Sequence, residues 1–398
     1  MSAPAGGAVV VGAGIVGACI ALELQRRGVA VTLVDRDAPG HGCSYGNSGA
    51  ISVGSLAPLA MPGILRSVPR MLMDPAGPLR LPLAYLPRAL PWLLRFTASA
   101  TPGHVEDTAR VLAALHAGAL ERHRALTREI GAPELLLARG HLHVYPDAES
   151  LDKDAAAWDL RARHGVPFTR LDRDGVRALE PAIGPRYRAG MFLADHATIV
   201  NPLRYVERIV AAFIARGGAL MRGEVRALQR IGAGWQCAGL DGTPVFAHAV
   251  VAAGIWSKRL LAPLGVRVPL ESQRGYHVTY LDAPSPVSRT VVLADRKVFV
   301  TPMEEGLRVG GTVEIAGLAR PPDPGRYAQL RDAATAAFGP MQGTPAYWMG
   351  HRPCTPDSRP VIGPAPGHAG LWLAVGHGHL GLTQSVNTAL RIGDAMLA

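Results

Sequence analysis

The stretch Ala8–Arg36, AVVVGAGIVGACIALELQRRGVAVTLVDR, reads as strand, turn, helix and strand in succession. The apolar run Val9–Val11 stops at Gly12. Gly14 and Gly17 then complete G-x-G-x-x-G ahead of an Ala- and Leu-rich helical segment that Gly28 ends. Val29–Val34 is again apolar and β-branched, as a strand covered on both faces should be, and it closes on Asp35. Gly12 permits the tight turn, Gly14 lets the backbone approach a pyrophosphate, and Gly17 lets the helix pack close to the strand. The first N–H groups of that helix face the phosphates. Asp35 stands 23 positions after Gly12, where a carboxylate accepts hydrogen bonds from a ribose diol and disfavours a 2′-phosphate. A Gly-rich turn without a ligand needs neither the flanking strands nor the terminal acid. The stretch therefore points to a dinucleotide with an unphosphorylated ribose.

A chain of 398 residues is long enough for two or three domains or sub-domains around a large core. The net charge of +10 invites a nucleic-acid reading, but its distribution argues against one. Lysine occurs only at 153, 258 and 297, and the remaining positive charge is Arg scattered without a basic stripe of interleaved aromatics. Cys19, Cys43, Cys237 and Cys354 form no C-x-x-C, which fits reduced thiols in a cytoplasmic protein and implies neither a metal site nor a disulfide framework. The N-terminus lacks the basic region of a signal peptide, and no apolar run reaches the length of about 18 residues that spans a bilayer.

After Asp35, the connection PGHGCSYGNSGAIS offers small polar side chains and accessible N–H groups at Ser44, Asn47, Ser48 and Gly49, suited to a second part of the same ligand. Residues 56–96 alternate proline with apolar and Arg-containing pieces and predict short, Pro-limited helices. A membrane-surface patch and a lid or subunit contact are both open for them. Val105–Ile130 predicts one long amphipathic helix, with His116 and His123 as packing or surface residues. Strands over Leu135–Tyr145 and Gly190–Ala194 and a helix over Leu151–His164 predict a mixed α+β region. A helix from Pro202 to about Arg216 precedes strands at Leu220–Ile231, Gly234–Gly239 and Val245–Ala252. AVVAAGIWS, Ala249–Ser257, is a buried strand ending at Gly254. Short alternating runs from Val266 to Val313 predict antiparallel strands that cover a site, and a helix follows over about Arg326–Phe338.

Near the C-terminus, HRPCTPDSRPVIG (His351–Gly363) leads into the strand LWLAV, the turn GHGHLGLT (Gly376–Thr383) and a final helix whose N-terminus the turn aims inward. Taken together, VVVGAGIVGA with Asp35, SYGNSG, VVAAG, RPCTPDSRPVIG and GHGHLGLT, in that order, resemble the FAD-dependent D-amino-acid oxidase and glycine oxidase superfamily. SYGNSG with the Pro-rich segment is most similar to the bacterial D-amino-acid dehydrogenase small subunit. The resemblance covers essentially the whole chain.

It implies an α/β fold in which a Rossmann-like FAD-binding domain of glutathione-reductase-type topology (1–55, 195–262 and 350–398) joins a mixed antiparallel-sheet, α+β substrate domain (56–194 and 263–349). Gly12, Ala13, Gly14, Ile15, Val16 and Gly17 would hold the pyrophosphate, Asp35 the adenosine ribose and Arg36 the adenine edge. Ser44, Asn47, Ser48 and Gly49 would run past pyrophosphate and flavin. Val225 would meet adenine through its backbone, and Ala253 and Gly254 would close over the nucleotide. Gly378, His379, Leu380, Gly381, Leu382 and Thr383 would meet the isoalloxazine, where a helix N-terminus stabilises the charge of reduced flavin. FAD is expected to be noncovalent. Arg352, the Arg of the RP motif, would clamp a substrate carboxylate, with pairing to Asp357 as its structural alternative. Tyr276 would cap the substrate or pack in the core. His379 replaces an active-site Arg of glycine oxidase and would either bond substrate or flavin or simply pack, while His377 would orient the turn.

The function implied is oxidative deamination of a small amino acid, a D-amino acid, by hydride transfer from Cα to flavin N5, giving an imino acid and then a 2-oxo acid and ammonia. A secondary amino acid such as D-hydroxyproline, an N-substituted glycine or sarcosine is the alternative. A quinone or other acceptor, cytoplasmic location and peripheral membrane contact through 56–96 complete the expectation. A nicotinamide-dependent dehydrogenase would share the first fingerprint but needs neither SYGNSG nor GHGHLG. A flavin-carrying subunit that only binds partners is the third class.

Overall fold

A computed structural model describes residues 5–63, 74, 77, 79–242 and 244–398. Part of the 56–96 segment, residues 64–73, 75, 76 and 78, lies outside them. Ala5–Val11 occupies the middle of the first sheet, parallel to Val31–Asp35 on one side and Phe246–Val251 on the other. Ala219–Arg222 extends it beyond Val31–Asp35, and the hairpin Ala227–Ile231/Gly234–Ala238 extends it beyond Phe246–Val251. Leu371–Val375 also lies parallel to Phe246–Val251. Val9, Val10, Leu33, Val250 and Leu371 are fully buried because helices cover one face of this sheet and loops the other. Ile15–Arg26, Pro202–Ala215 and the last helix, Gly381–Leu397, form the helical layer, with Ile20, Leu22, Phe213 and Ile392 packed between them and the sheet.

The second sheet runs Thr344–Cys354, Glu271–Leu281, Gly306–Ile315, Val298–Met303, Thr290–Leu293, His141–Tyr145, Ala189–Leu193 and Thr169–Leu171. All neighbours are antiparallel except Thr290–Leu293 and His141–Tyr145. The helix Pro324–Phe338 covers one face, burying Val278, Val300, Val309 and Leu330. Thr344–Cys354 carries residues 350–354 into this sheet, so the boundary expected at 350 falls inside a strand. A small third sheet joins Ala50–Ile51 to Ala197–Ile199 and Leu136–Leu137.

Five element predictions need correction. Leu220–Ile231 is two strands, Ala219–Arg222 and Ala227–Ile231, on opposite sides of the first sheet, and Leu135–Tyr145 divides into Leu136–Leu137 of the third sheet and His141–Tyr145 of the second. Val105–Ile130 is two helices, Pro102–His116 and Ala119–Glu129, because Ala117 turns extended (ψ 121°) and Gly118 takes φ +66°. Leu151–His164 likewise splits into Ala148–Asp152 and Ala155–Arg163. Leu86–Ala98, by contrast, continues through Pro91 instead of stopping there. The carbonyl that loses its partner belongs to the exposed Pro87, where water replaces the missing N–H. Leu86, Leu90 and Leu94 on this helix are exposed. Among the described residues no helix is long and apolar enough to cross a membrane.

None of the four cysteines is in a disulfide. Burial pushes the thiols of Cys19, Cys237 and Cys354 up to about 12, and that of Cys43 to about 11.

Candidate active site

Between the two sheets lies a cavity of about 1190 Å³. At one end stands the glycine turn. Gly12 takes φ +110°, and a Cβ there would lie 2.4 Å from Ala252 O; a Cβ on Gly17 would lie 1.8 Å from Gly12 O. Only glycine permits this crossing of strand and helix. Asp35 is engaged by backbone N–H groups, Oδ2 from Ala13 at 2.7 Å and Oδ1 from Asp37 at 3.0 Å, which fixes the carboxylate at the cavity rim. Ser44 Oγ accepts from Ile15 N at 2.9 Å, leaving its own proton to donate into the cavity. The Arg36 guanidinium lies 4.1 Å over the Trp256 ring.

The connection after Asp35 is fastened to the second sheet by residues the sequence reading missed. Arg308 is 4 % exposed and donates through Nη1 to Tyr45 O (2.9 Å) and Asn47 O (2.7 Å). Trp348 lies over Gly46, where a Cβ would sit 1.8 Å from the ring, and stacks on His277 at 5.1 Å. Asn47 Oδ1 accepts from Gly49 N at 2.8 Å. The signal for Arg308 was a cation at an inward position of an alternating strand. Trp348 gave none.

Three buried histidines hold the next residues. Gly54 N donates to His196 Nε2 at 2.9 Å, so the His196 proton sits on Nδ1, which faces His141 Nδ1 at 3.1 Å. His141 therefore carries its proton on Nε2, donated to Ala197 O at 2.8 Å. His116 Nδ1 meets Val53 O at 3.0 Å and its Nε2 meets the Gln384 amide at 3.1 Å. Burial pushes His116 and His141 down to about 4 and His196 well below its usual value, so all three stay neutral.

The far wall of the cavity holds Arg352. On the Glu271–Leu281 and Thr344–Cys354 strands, Gln273, Gly275 and His277 share one face with Arg352, Gly350 and Trp348. A Cβ on Gly275 would lie 2.2 Å from the Arg352 guanidinium. Nη1 donates to Thr312 O at 2.9 Å, and Nη2 faces Gly311 O at 3.5 Å. Among the described residues no carboxylate lies within 4 Å of this guanidinium; Asp357 instead accepts from Arg359 N at 3.1 Å. Burial lowers the Arg352 pKa, the mark of a cation short of counter-charge. Thr312, whose carbonyl aims at it, holds φ +58° with an unbonded buried hydroxyl.

Of the two places open to Tyr276, its side chain takes the core. It alternates onto the face covered by Pro324–Phe338, is 1 % exposed, meets Tyr327 edge to face, and donates its hydroxyl to Glu314. Arg274 pairs with the same carboxylate at 3.3 Å. The Tyr276 phenol belongs to a buried network behind the wall.

His379 is open to the cavity with no hydrogen-bond partner among the described residues, yet the cavity is sunk in protein. Burial first, then Arg352 and His116, push its pKa to about 4. His377 instead bonds Thr388 Oγ1 at 3.0 Å. Gly12, Gly14, Ile15, Val16, Asp35, Arg36, Ser44, Asn47, Ser48, Val225, Ala253, Gly254, Gly378, Leu380, Gly381 and Leu382 line the cavity with Arg352 and His379. Ala13, Gly17, Gly49 and Thr383 stand behind the wall. Thr383 Oγ1 ties Ser52 N (2.9 Å) and Ala50 O (3.3 Å) to the last helix.

The family model for FAD dependent oxidoreductases (DAO) matches residues 8–395. A D-amino-acid oxidase of Bradyrhizobium diazoefficiens is 39% identical over 396 residues, covering 97% of this chain and 94% of that protein. D-amino acid dehydrogenase 2 of Ralstonia nicotianae is 34% identical, covering 97% and 95%. The fold is that of glycine oxidase from Geobacillus kaustophilus (TM-score 0.76, 19% identity, 98% of this chain and 94% of that one). It is also that of iminodiacetate oxidase from Chelativorans sp. BNC1 (TM-score 0.72, 22% identity, 98% and 95%). The glycine crossing, the fixed acid and the cavity from Gly12 to Arg352 thus sit in a chain that belongs to the DAO family of FAD-dependent oxidoreductases.

Proposed function

We propose that this protein oxidises an α-amino acid, a D-amino acid, whose carboxylate Arg352 holds in the cavity. The observation that carries the reading is a half-buried guanidinium, fixed by Thr312 and facing open space, with no carboxylate of its own among the described residues. The residues fit FAD. The glycine crossing admits a pyrophosphate, Asp35 meets the ribose, Ser44 has a proton to donate, and the cavity continues from there to Gly381 and Leu382 at the start of the last helix. When bound, FAD supplies the acceptor for the hydride that leaves the substrate Cα.

The chain's own residues bind and orient. Arg352 makes a paired, charge-assisted contact to the carboxylate and so fixes where Cα lies. His379, neutral, accepts a hydrogen bond from the substrate amine and so orients it. The N–H groups of Gly381 and Leu382, with the positive end of the last helix behind them, favour negative charge in the cavity. Released imine is hydrolysed by water to the 2-oxo acid and ammonia.

The test is anaerobic mixing of the purified flavoprotein with D-amino acids, glycine, N-methylglycine and proline derivatives while flavin absorbance is followed. Bleaching by at least one supports the reading; retention of oxidised flavin with every compound, in protein that dithionite still reduces, rejects it.

A further inference from the structure

A second unpaired guanidinium opens on the same cavity. Arg161 projects from Ala155–Arg163, donating through Nε to Gly54 O at 3.1 Å and through Nη1 to Ala157 O at 2.8 Å. Its plane lies 4.5 Å over the Trp158 ring, and Trp158 meets His143 edge to face at 5.3 Å. Nη2 donates to nothing among the described residues, and no carboxylate there comes within 4 Å. The nearby Asp154 is occupied, by the Tyr145 hydroxyl at 3.1 Å and Lys297 Nζ at 3.4 Å.

A guanidinium pinned by two carbonyls and an aromatic ring has already lost the freedom that binding would remove. What it lacks is an anion. If its role were only to hold Gly54, a neutral donor would serve without the cost of burying a charge, and burial does depress the Arg161 pKa. The spacing to Arg352 selects the ligand. Arg352 lies over Gly306–Ile315, while Arg161 lies over Trp158 and His141–Tyr145, three strands away in the sheet. Three strand spacings are about 14 Å. After a hydrogen bond of about 3 Å at each end, the gap suits a glutamate-length diacid.

We infer that Arg161 receives a second carboxylate of the substrate, so that the preferred substrates are dicarboxylic amines held between Arg352 and Arg161. The inference rests on the amino-acid reading above. The second carboxylate sits either on the side chain of an α-amino acid or on the nitrogen substituent of a secondary amine.

Anaerobic flavin reduction distinguishes these with D-glutamate against D-glutamine and iminodiacetate against N-methylglycine. In the wild-type holoenzyme the diacid of one pair half-saturates the reduction rate at a concentration at least about tenfold lower than its uncharged counterpart, as a charged hydrogen bond requires. The pair showing the preference identifies the position of the second carboxylate. Arg161→Gln collapses the ratio and Arg161→Lys restores part of it, with flavin content and thermal midpoint confirming folded protein. Reduction by amino acids with no diacid preference in either pair overturns the inference and leaves the function standing. A preference that survives Arg161→Gln also overturns it. No reduction by any amino acid overturns both.

Discussion

Arg352→Ala should raise the substrate concentration needed for half-maximal flavin reduction by about 100-fold or more, since two charge-assisted hydrogen bonds are lost, while bound flavin is retained. Equal half-saturation in variant and wild type would remove Arg352 from the site. Thr312 allows a prediction of opposite sign. A β-branched residue at φ +58° costs about 1–3 kcal/mol, and its hydroxyl is buried without a partner. Thr312→Gly relieves both, offset by about 1 kcal/mol of added chain freedom. The denaturation midpoint should therefore rise, or at worst hold, while substrate half-saturation worsens as the carbonyl facing Arg352 loses its fixed aim. A lower midpoint would show that the side chain contributes packing not evident from its contacts. Gly12, Asp35 and Arg352 were legible in the sequence because each is announced by its neighbours within a few positions. Thr312, Arg308, Trp348 and Arg161 were not, because each meets a partner far along the chain that only the fold brings near. Tyr276 stayed open between substrate and core for a related reason: its face depends on the register of its strand with Gly311 and Met349, far along the chain.

The connection from Ser44 to Gly54 is an element held by side chains from the second sheet and from the helices Pro102–His116 and Gly381–Leu397, and its predictions follow from that. Gly46→Ala drives a methyl into the Trp348 ring. The connection must then shift against Arg308, and the variant should lose flavin on dialysis far faster than wild type; equal retention would show that the ring swings aside. The three neutral histidines give a pH dependence. His116 and His141 have folded pKa values depressed from 6.5 to about 4. The unfolded chain therefore binds more protons between those limits, and stability falls as pH drops from 6.5 towards 4 and levels off below. Each contributes a slope of about 1.4 kcal/mol per pH unit within that window. Urea midpoints measured from pH 7.5 to 4.5 should show the decline, and His116→Gln should flatten it. A midpoint independent of pH would mean that the folded rings take up protons at the same pH as those of the unfolded chain. Most strands and the final helix were legible from periodicity, but the breaks inside Leu220–Ile231 and Leu135–Tyr145 were not. The breaks at Gly118 and Lys153 were not, because apolar spacing carries across a turn that keeps the same face buried.

At the scale of the molecule, two sheets built from interleaved pieces of chain meet across one cavity, and whatever fills the cavity joins them. Removing FAD should therefore lower the thermal midpoint. Adding it back at about 100 times its Kd should restore about 2.7 kcal/mol; a midpoint indifferent to FAD would place the cofactor outside the cavity. The two-sheet plan was legible as the alternation of parallel and antiparallel patterns, although the strand Thr344–Cys354 ties the substrate wall to the nucleotide end more tightly than a boundary at 350 implies. The four thiols add a practical property. With every sulfhydryl held protonated near neutral pH and most of them buried, the folded protein should be silent to iodoacetamide and maleimides, whose target is the thiolate. A cysteine placed by substitution on an exposed helix would then be the single labelled position, giving a background-free attachment point for a fluorophore.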